Sequence, residues 1–140
     1  MSDDLILVDS TVWVHFLRGI DPLLGERLTP LIVADRLVTS PVIILEILRG
    51  ARDLKHYTQL DEDFSALRCL AMTDALWQRA NRLAFTLRTK GVNAPLTDTL
   101  IAATALEHGL PLLHDDRHFE AIAGIVPLLR QERLGPAQRD

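Results

Sequence analysis

Short, unbroken apolar runs punctuate this chain at Leu5 to Val8, Leu37 to Thr39, Leu110 to Leu113 and Ile125 to Leu129, with a weaker one from Leu67 to Ala71. They are mostly unalternating, which is the pattern of strands covered on both faces, as in a parallel sheet. Pro127 cannot donate to a ladder, so the last run belongs at a sheet edge. Between the runs, apolar positions recur with helical period. Arg18-Gly19, Arg49-Gly50, Lys90-Gly91 and His108-Gly109 each set a basic residue in a last turn ahead of a glycine suited to a left-handed cap. Ser10, Ser40 before Pro41, Thr73 and Thr97 supply N-caps at the opposite ends. The spacing predicts helices after the first run, near 22–33, and over 41–49, 53–66, 74–90, 98–108 and 117–123. Strands alternating with helices imply an α/β fold on a mostly parallel sheet of about five strands, covered on both sides.

Composition narrows this further. With 140 residues, 48% of them hydrophobic and 24% charged, the chain is long enough for one core and too apolar to be disordered. No repeat, low-complexity tract or linker divides it, so residues 1–130 read as a single domain and 131–140, with Gly135, Pro136 and mixed charge, as a frayed tail. The single cysteine, Cys69, excludes an internal disulfide and a multi-thiolate zinc site, and reads as a small buried apolar residue. No apolar run approaches the roughly 20 residues of a membrane helix, and the acidic start, Met1 to Asp4, lacks a signal peptide's basic region, so the expected compartment is the cytoplasm. A net charge of −4 argues against holding nucleic acid by bulk charge, although not against acting on it through a local basic rim.

In open parallel sheets, function collects outside the carboxyl ends of the strands. Asp9 closes the first run, Glu46 interrupts the apolar helix that follows the second, Asp98 opens a helix, and Asp115 and Asp116 follow Leu112-Leu113-His114. Each has a bland explanation alone: Asp9 as a helix cap, Glu46 as a surface partner of Arg49, Asp98 as a complement to the macrodipole, Asp115 and Asp116 as a helix start. Together they share one rim. Carboxylates converging there repel, each close pair by about 4 kcal/mol at an effective dielectric of about 20. A hard divalent cation is the natural compensator, because oxygen-only ligands suit Mg²⁺ or Mn²⁺. Such an ion lowers the pKa of bound water and stabilises charge on a phosphodiester in transition, so the chemistry implied is metal-assisted phosphodiester hydrolysis.

These residues carry a family resemblance that spans nearly the whole chain. Val8-Asp9-Ser10-Thr11-Val12-Trp13, Glu46-Ile47-Leu48-Arg49-Gly50, Asp98-Thr99-Leu100-Ile101-Ala102-Ala103 and Leu112-Leu113-His114-Asp115-Asp116-Arg117-His118-Phe119 resemble, in order and spacing, the acidic motifs of PIN-domain ribonucleases, specifically the VapC toxins of VapBC type II toxin-antitoxin systems. The approach to the third motif, Asn93-Ala94-Pro95-Leu96-Thr97, departs from the usual pattern. The resemblance implies a PIN-like three-layer α/β/α sandwich and Mg²⁺-dependent endonucleolytic cleavage of RNA, with Mn²⁺ as a substitute. It also implies a homodimer and a cognate VapB-type antitoxin whose tail blocks the acidic groove.

On this reading Asp9 and Asp98 are the principal metal ligands, Asp116 completes the site or holds a second ion, and Glu46 orients or deprotonates the attacking water. Thr11 positions the first motif, and Arg49, Arg52 and Arg117 are candidates for guiding the RNA backbone. His114 and His118 flank the last acids and are read as structural or surface residues, while Trp13 and Trp77 are read as core or interface. No Gly-x-Ser-x-Gly elbow or phosphate-binding P-loop occurs, which removes hydrolase-triad and nucleotide-triphosphatase readings. Two alternatives remain. One is a catalytically idle PIN-like module that binds RNA or protein. The other is a Mg²⁺-binding receiver-type signalling domain, which needs an acceptor Asp on a central strand that the run from Leu67 to Ala71 does not offer.

Overall fold

The computed structural model describes residues 4–19 and 21–135. The strands are β1 (Ile6–Val8), β2 (Leu37–Thr39), β3 (Arg68–Cys69), β4 (Leu112–His114) and β5 (Gln131–Arg133). The helices are α1 (Ser10–Arg18), α2 (Pro22–Val33), α3 (Pro41–Arg49), α4 (Leu54–Ser65), α5 (Asp74–Thr89), α6 (Leu96–His108) and α7 (Arg117–Ile125). The strands form one sheet in the order β3-β2-β1-β4-β5, every pair parallel. The result is the three-layer α/β/α sandwich that the alternating pattern implies.

The central strands are buried because their side chains are covered from both sides. Leu7, Val8, Leu37, Val38, Leu112 and Leu113 are nearly inaccessible and pack with Val12, Ile43, Ile101, Phe119 and Ile122 from the helices. Trp13 belongs to this core, edge-on to Phe64 at 5.1 Å between ring centroids, whereas Trp77 on α5 is half exposed. Helix α6 is buried along most of its length, with Ala102 and Ala103 at 0% exposure. Small side chains there let α6 sit close to its neighbours, and α6 carries Asp98 in its first turn.

Several local expectations need correcting. The apolar run from Ile125 to Leu129 is not a strand: Ile125 ends α7, Val126 caps it, and Leu129 plugs the core from the following turn. The edge strand is β5, built from the polar residues Gln131, Glu132 and Arg133, which an edge position tolerates because one side faces solvent. That strand overlaps the tail expected from residue 131, and 136–140 lie outside the described residues. Cys69 is exposed, because β3 is a two-residue strand at the other edge. Gly19 and Gly109 take the left-handed caps at φ 64° and 63°, but Gly50 closes α3 at φ −84°. Ser40 and Thr73 cap as expected, while Asp9 takes the place of Ser10, and Pro95 rather than Thr97 precedes α6 without a side-chain cap.

Because the space around Ala102 is already filled, Ala102→Leu should destabilise the fold by about 1–3 kcal/mol. A urea midpoint that falls with an unchanged slope is the expected readout.

Candidate active site

All strands run the same way, so their carboxyl ends open onto one rim, and β1 stands between β2 and β4. The residues leaving β1 and β4, and the helix that follows β2, therefore meet there. Asp9 leaves β1 with only 2% of its surface exposed and caps α1. Its Oδ2 accepts the Thr11 backbone N–H at 3.1 Å and the Thr11 hydroxyl at 2.6 Å. Its Oδ1 is buried with no hydrogen-bond partner.

The two hydroxyl residues after Asp9 tie it to the other motifs. Ser10 Oγ donates to Glu46 Oε1 at 2.9 Å, joining α1 to α3. Thr11 Oγ1 accepts the Asp115 backbone N–H at 2.9 Å, joining α1 to the β4–α7 connection. Thr11 thus links the first and last motifs. The sequence offers Ser10 as a helix cap and as part of the first motif; its contact with Glu46 depends on two helices meeting.

Asp98 and Asp116 complete the cluster. Asp116 caps α7, its Oδ1 accepting the His118 N–H at 2.9 Å. Asp98 is 7% exposed and its Oδ2, like Asp9 Oδ1, is buried without a hydrogen-bond partner. Asp98, Asp116 and His118 offer ligand atoms that all lie within 4.8 Å of one another. Burial, then repulsion from Asp116 and Asp9, pushes the Asp98 carboxyl up to about 7, against an opposing pull from His118. Burial also raises Glu46, with Asp9 and Asp116 adding to the shift while Ser10 and Arg49 oppose it. For Asp9, burial outweighs the hydrogen bonds from Thr11 and Ser10, and its carboxyl is raised as well. The acids named by sequence therefore sense one another across a single pocket.

Carboxylate oxygens left buried without donors, in a pocket where ionisation is opposed, are what a hard divalent cation requires. Asp9, Asp98 and Asp116, with Glu46 beside them, fit that donor set.

Strand β5 supplies a second layer of support that the sequence did not reveal. Fully buried His114 accepts the Asp116 backbone N–H on Nδ1 at 3.1 Å, and its Nε2 lies 2.6 Å from Gln131 Oε1, so the proton resides on Nε2. Arg133 Nε donates to Asp115 Oδ1 at 3.2 Å and its Nη1 to Glu120 at 3.0 Å. His15 Nδ1 stands 3.5 Å from the other Asp115 oxygen. A Cβ at Gly135 would sit 2.1 Å from that same oxygen, so any side chain there must displace the Asp115 carboxylate. Asp115 thus anchors the loop that presents Asp116.

Of the candidate backbone contacts, Arg49, Arg52 and Arg117 are all exposed. Arg49 is near enough to Glu46 to oppose its shift, and Arg52 lines a cleft of about 440 Å³ beside Glu46 with Val14, Leu17, Ile47 and Leu60. Arg117 stands between Asp116 and His118 at the start of α7.

A parallel α/β/α sandwich with this acid-lined rim defines a PIN domain, and the sequence matches that family over residues 6–125: the chain belongs to the PIN domain family. Within it, the chain is similar to the VapC ribonucleases. It is 31% identical to Ribonuclease VapC11 of Mycobacterium tuberculosis over 134 residues, which covers 89% of this chain and 96% of the relative. It is 34% identical to Ribonuclease VapC21 of the same organism over 108 residues, covering 75% and 78%. The fold superposes on DNA-bound VapBC from Salmonella typhimurium with a TM-score of 0.78 at 21% identity, covering 93% of this chain and 98% of the other. The PIN match leaves no place for the receiver-type alternative. Among the described residues, no helix is long and apolar enough to cross a membrane.

The raised Asp98 carboxyl has a consequence for stability. Its folded-state pKa, about 7, lies above the unbound value of 3.8, so its contribution is fully present below about pH 4 and is lost as pH rises through about 7. In chelator at pH 8, Asp98→Asn should therefore melt at a higher temperature than the natural chain. The gap should close towards pH 5, and millimolar Mg²⁺ should stabilise only the natural chain strongly. Thermal melts across that pH range, with and without Mg²⁺, check this.

Proposed function

We propose that this protein is a divalent-cation-dependent endoribonuclease, the toxin of a type II toxin-antitoxin pair, which cuts a loop of transfer or ribosomal RNA and so inhibits translation in the cytoplasm. The observation that carries the reading is the convergence of Asp9, Glu46, Asp98 and Asp116 on one rim, with Asp9 Oδ1 and Asp98 Oδ2 buried and unpartnered. The ribonuclease names of the relatives support the substrate class, and the VapBC complexes among the solved structures of like fold support a VapB-type partner.

Asp9, Asp98 and Asp116 would hold Mg²⁺, or Mn²⁺ in its place, and the ion supplies a more acidic water and charge neutralisation at the phosphate. Glu46, fixed by Ser10 and made more basic by burial, is suited to take a proton from the attacking water. Thr11 keeps the Asp9 carboxylate in place by donating both its hydroxyl and its backbone N–H. A pocket made of carboxylates repels the RNA backbone, so cations outside it must guide the strand; Arg49, Arg52 and Arg117 are the residues we assign to that task. Exposed apolar side chains such as Phe85 and Leu54, at 68% and 77% exposure, are consistent with a homodimer and an antitoxin covering part of this surface.

Purified protein incubated with total RNA should yield discrete fragments with Mg²⁺ and none with chelator. Asp9→Asn and Asp98→Asn should each lower the cleavage rate by about 100-fold or more while circular dichroism stays native. Near-normal cleavage by either folded variant refutes the assignment. Cleavage should also weaken steeply with added salt if several arginines touch phosphates.

A further inference from the structure

One nitrogen reaches the same pocket as the carboxylates. His118 Nδ1 stands 2.8 Å from Asp116 Oδ1 and 3.1 Å from Asp98 Oδ2. Neither approach has hydrogen-bond geometry: Nδ1 is buried and without a hydrogen-bond partner, as is Asp98 Oδ2. Resting on the cation-dependent reading above, we propose that His118 Nδ1 is a metal ligand. It joins Asp98 and Asp116 as a donor to one ion, and it biases the site towards a first-row transition ion such as Mn²⁺ over Mg²⁺.

The spacing supports this. In an octahedral site with ligands at about 2.1 Å, adjacent ligand atoms are separated by about 3 Å, the edge of the octahedron. The two distances at His118 fall on either side of that value. Asp116 Oδ1 also accepts the His118 backbone N–H, but a carboxylate oxygen has a second lone pair to offer. That same bond fixes the start of the helix carrying the imidazole.

His118 stands at ion-pair distance from Asp98 and Asp116 and is placed to exchange that pairing for a shared cation. Its side chain is 32% exposed, so it does not fill the core. The neighbouring histidine cannot substitute for it, because both ring nitrogens of His114 are committed, to the Asp116 N–H and to Gln131. Imidazole nitrogen favours first-row transition ions, whereas Mg²⁺ keeps to oxygen ligands and water. A site of carboxylates alone would carry no such preference.

Electron paramagnetic resonance tests the proposal without reference to cleavage. Mn²⁺ titrated into metal-free protein should bind and, in pulsed spectra, show the modulation of one directly bound imidazole nitrogen. His118→Gln, which keeps a polar side chain of similar reach, should abolish that modulation. It should weaken Mn²⁺ binding by about tenfold or more, while Mg²⁺ affinity, measured by competition, changes by less than about threefold. Circular dichroism of the variant verifies that it folds. Bound Mn²⁺ lacking nitrogen modulation in the natural chain overturns the ligand assignment and leaves the cation-dependent reading standing. No Mn²⁺ binding at millimolar concentrations overturns both. Equal losses for Mn²⁺ and Mg²⁺ in His118→Gln overturn the selectivity.

Discussion

The shared direction of the five strands is the constraint on which the site depends. A parallel sheet collects every carboxyl end on one rim, and the order β3-β2-β1-β4-β5 places β1 between the strands that lead to the other acids. Acids far apart in sequence become neighbours without any long excursion of the chain. The cost is electrostatic: burial opposes ionisation of Asp9, Glu46 and Asp98, and repulsion from neighbouring acids adds to it at Glu46 and Asp98. The fold tolerates this because backbone and hydroxyl donors fix the carboxylates, while selected oxygens stay unpartnered for a cation. Stability and function therefore pull in opposite directions at this rim.

Helix capping and site chemistry are not rival explanations of these acids. Asp9 uses one oxygen to cap α1 and keeps the other clear of the protein's own donors. Asp116 caps α7 through Oδ1 and still presents that oxygen within reach of His118 and Asp98. A cap fixes a carboxylate at the start of a helix, where backbone N–H groups favour negative charge. The geometry that makes an aspartate unremarkable in one respect holds its carboxylate rigid in another.

Much of this was readable from the sequence because the informative signals were local. The strands near Val8, Val38 and Leu113 and the bounds of α2 and α3 followed from unbroken apolar runs and start and stop chemistry. The acids were found because each lies at an element's end or interrupts an apolar pattern. What escaped was set by tertiary position. Strand β5 is polar since an edge strand need not be apolar, and the apolar run before it serves as a helix end and a core plug. Cys69 is exposed for the same edge-strand reason. Gln131 and Arg133 belong to no motif, and the motifs that contain Ser10 and His114 do not say what these two touch; all four act through the acid or loop they contact.

The clasp formed by β5 also makes the site depend on the last strand of the sheet. Gln131, Arg133 and Gly135 are synthesised after all four acids, and they lie beyond the 6–125 span that carries the family match. While that stretch is still within the ribosomal tunnel, a nascent chain already contains every carboxylate but lacks the contacts that hold the Asp115-Asp116 loop. A chain that stopped short of β5 would carry Asp9, Glu46, Asp98 and Asp116 yet leave the Asp115-Asp116 loop without its clasp from Gln131 and Arg133.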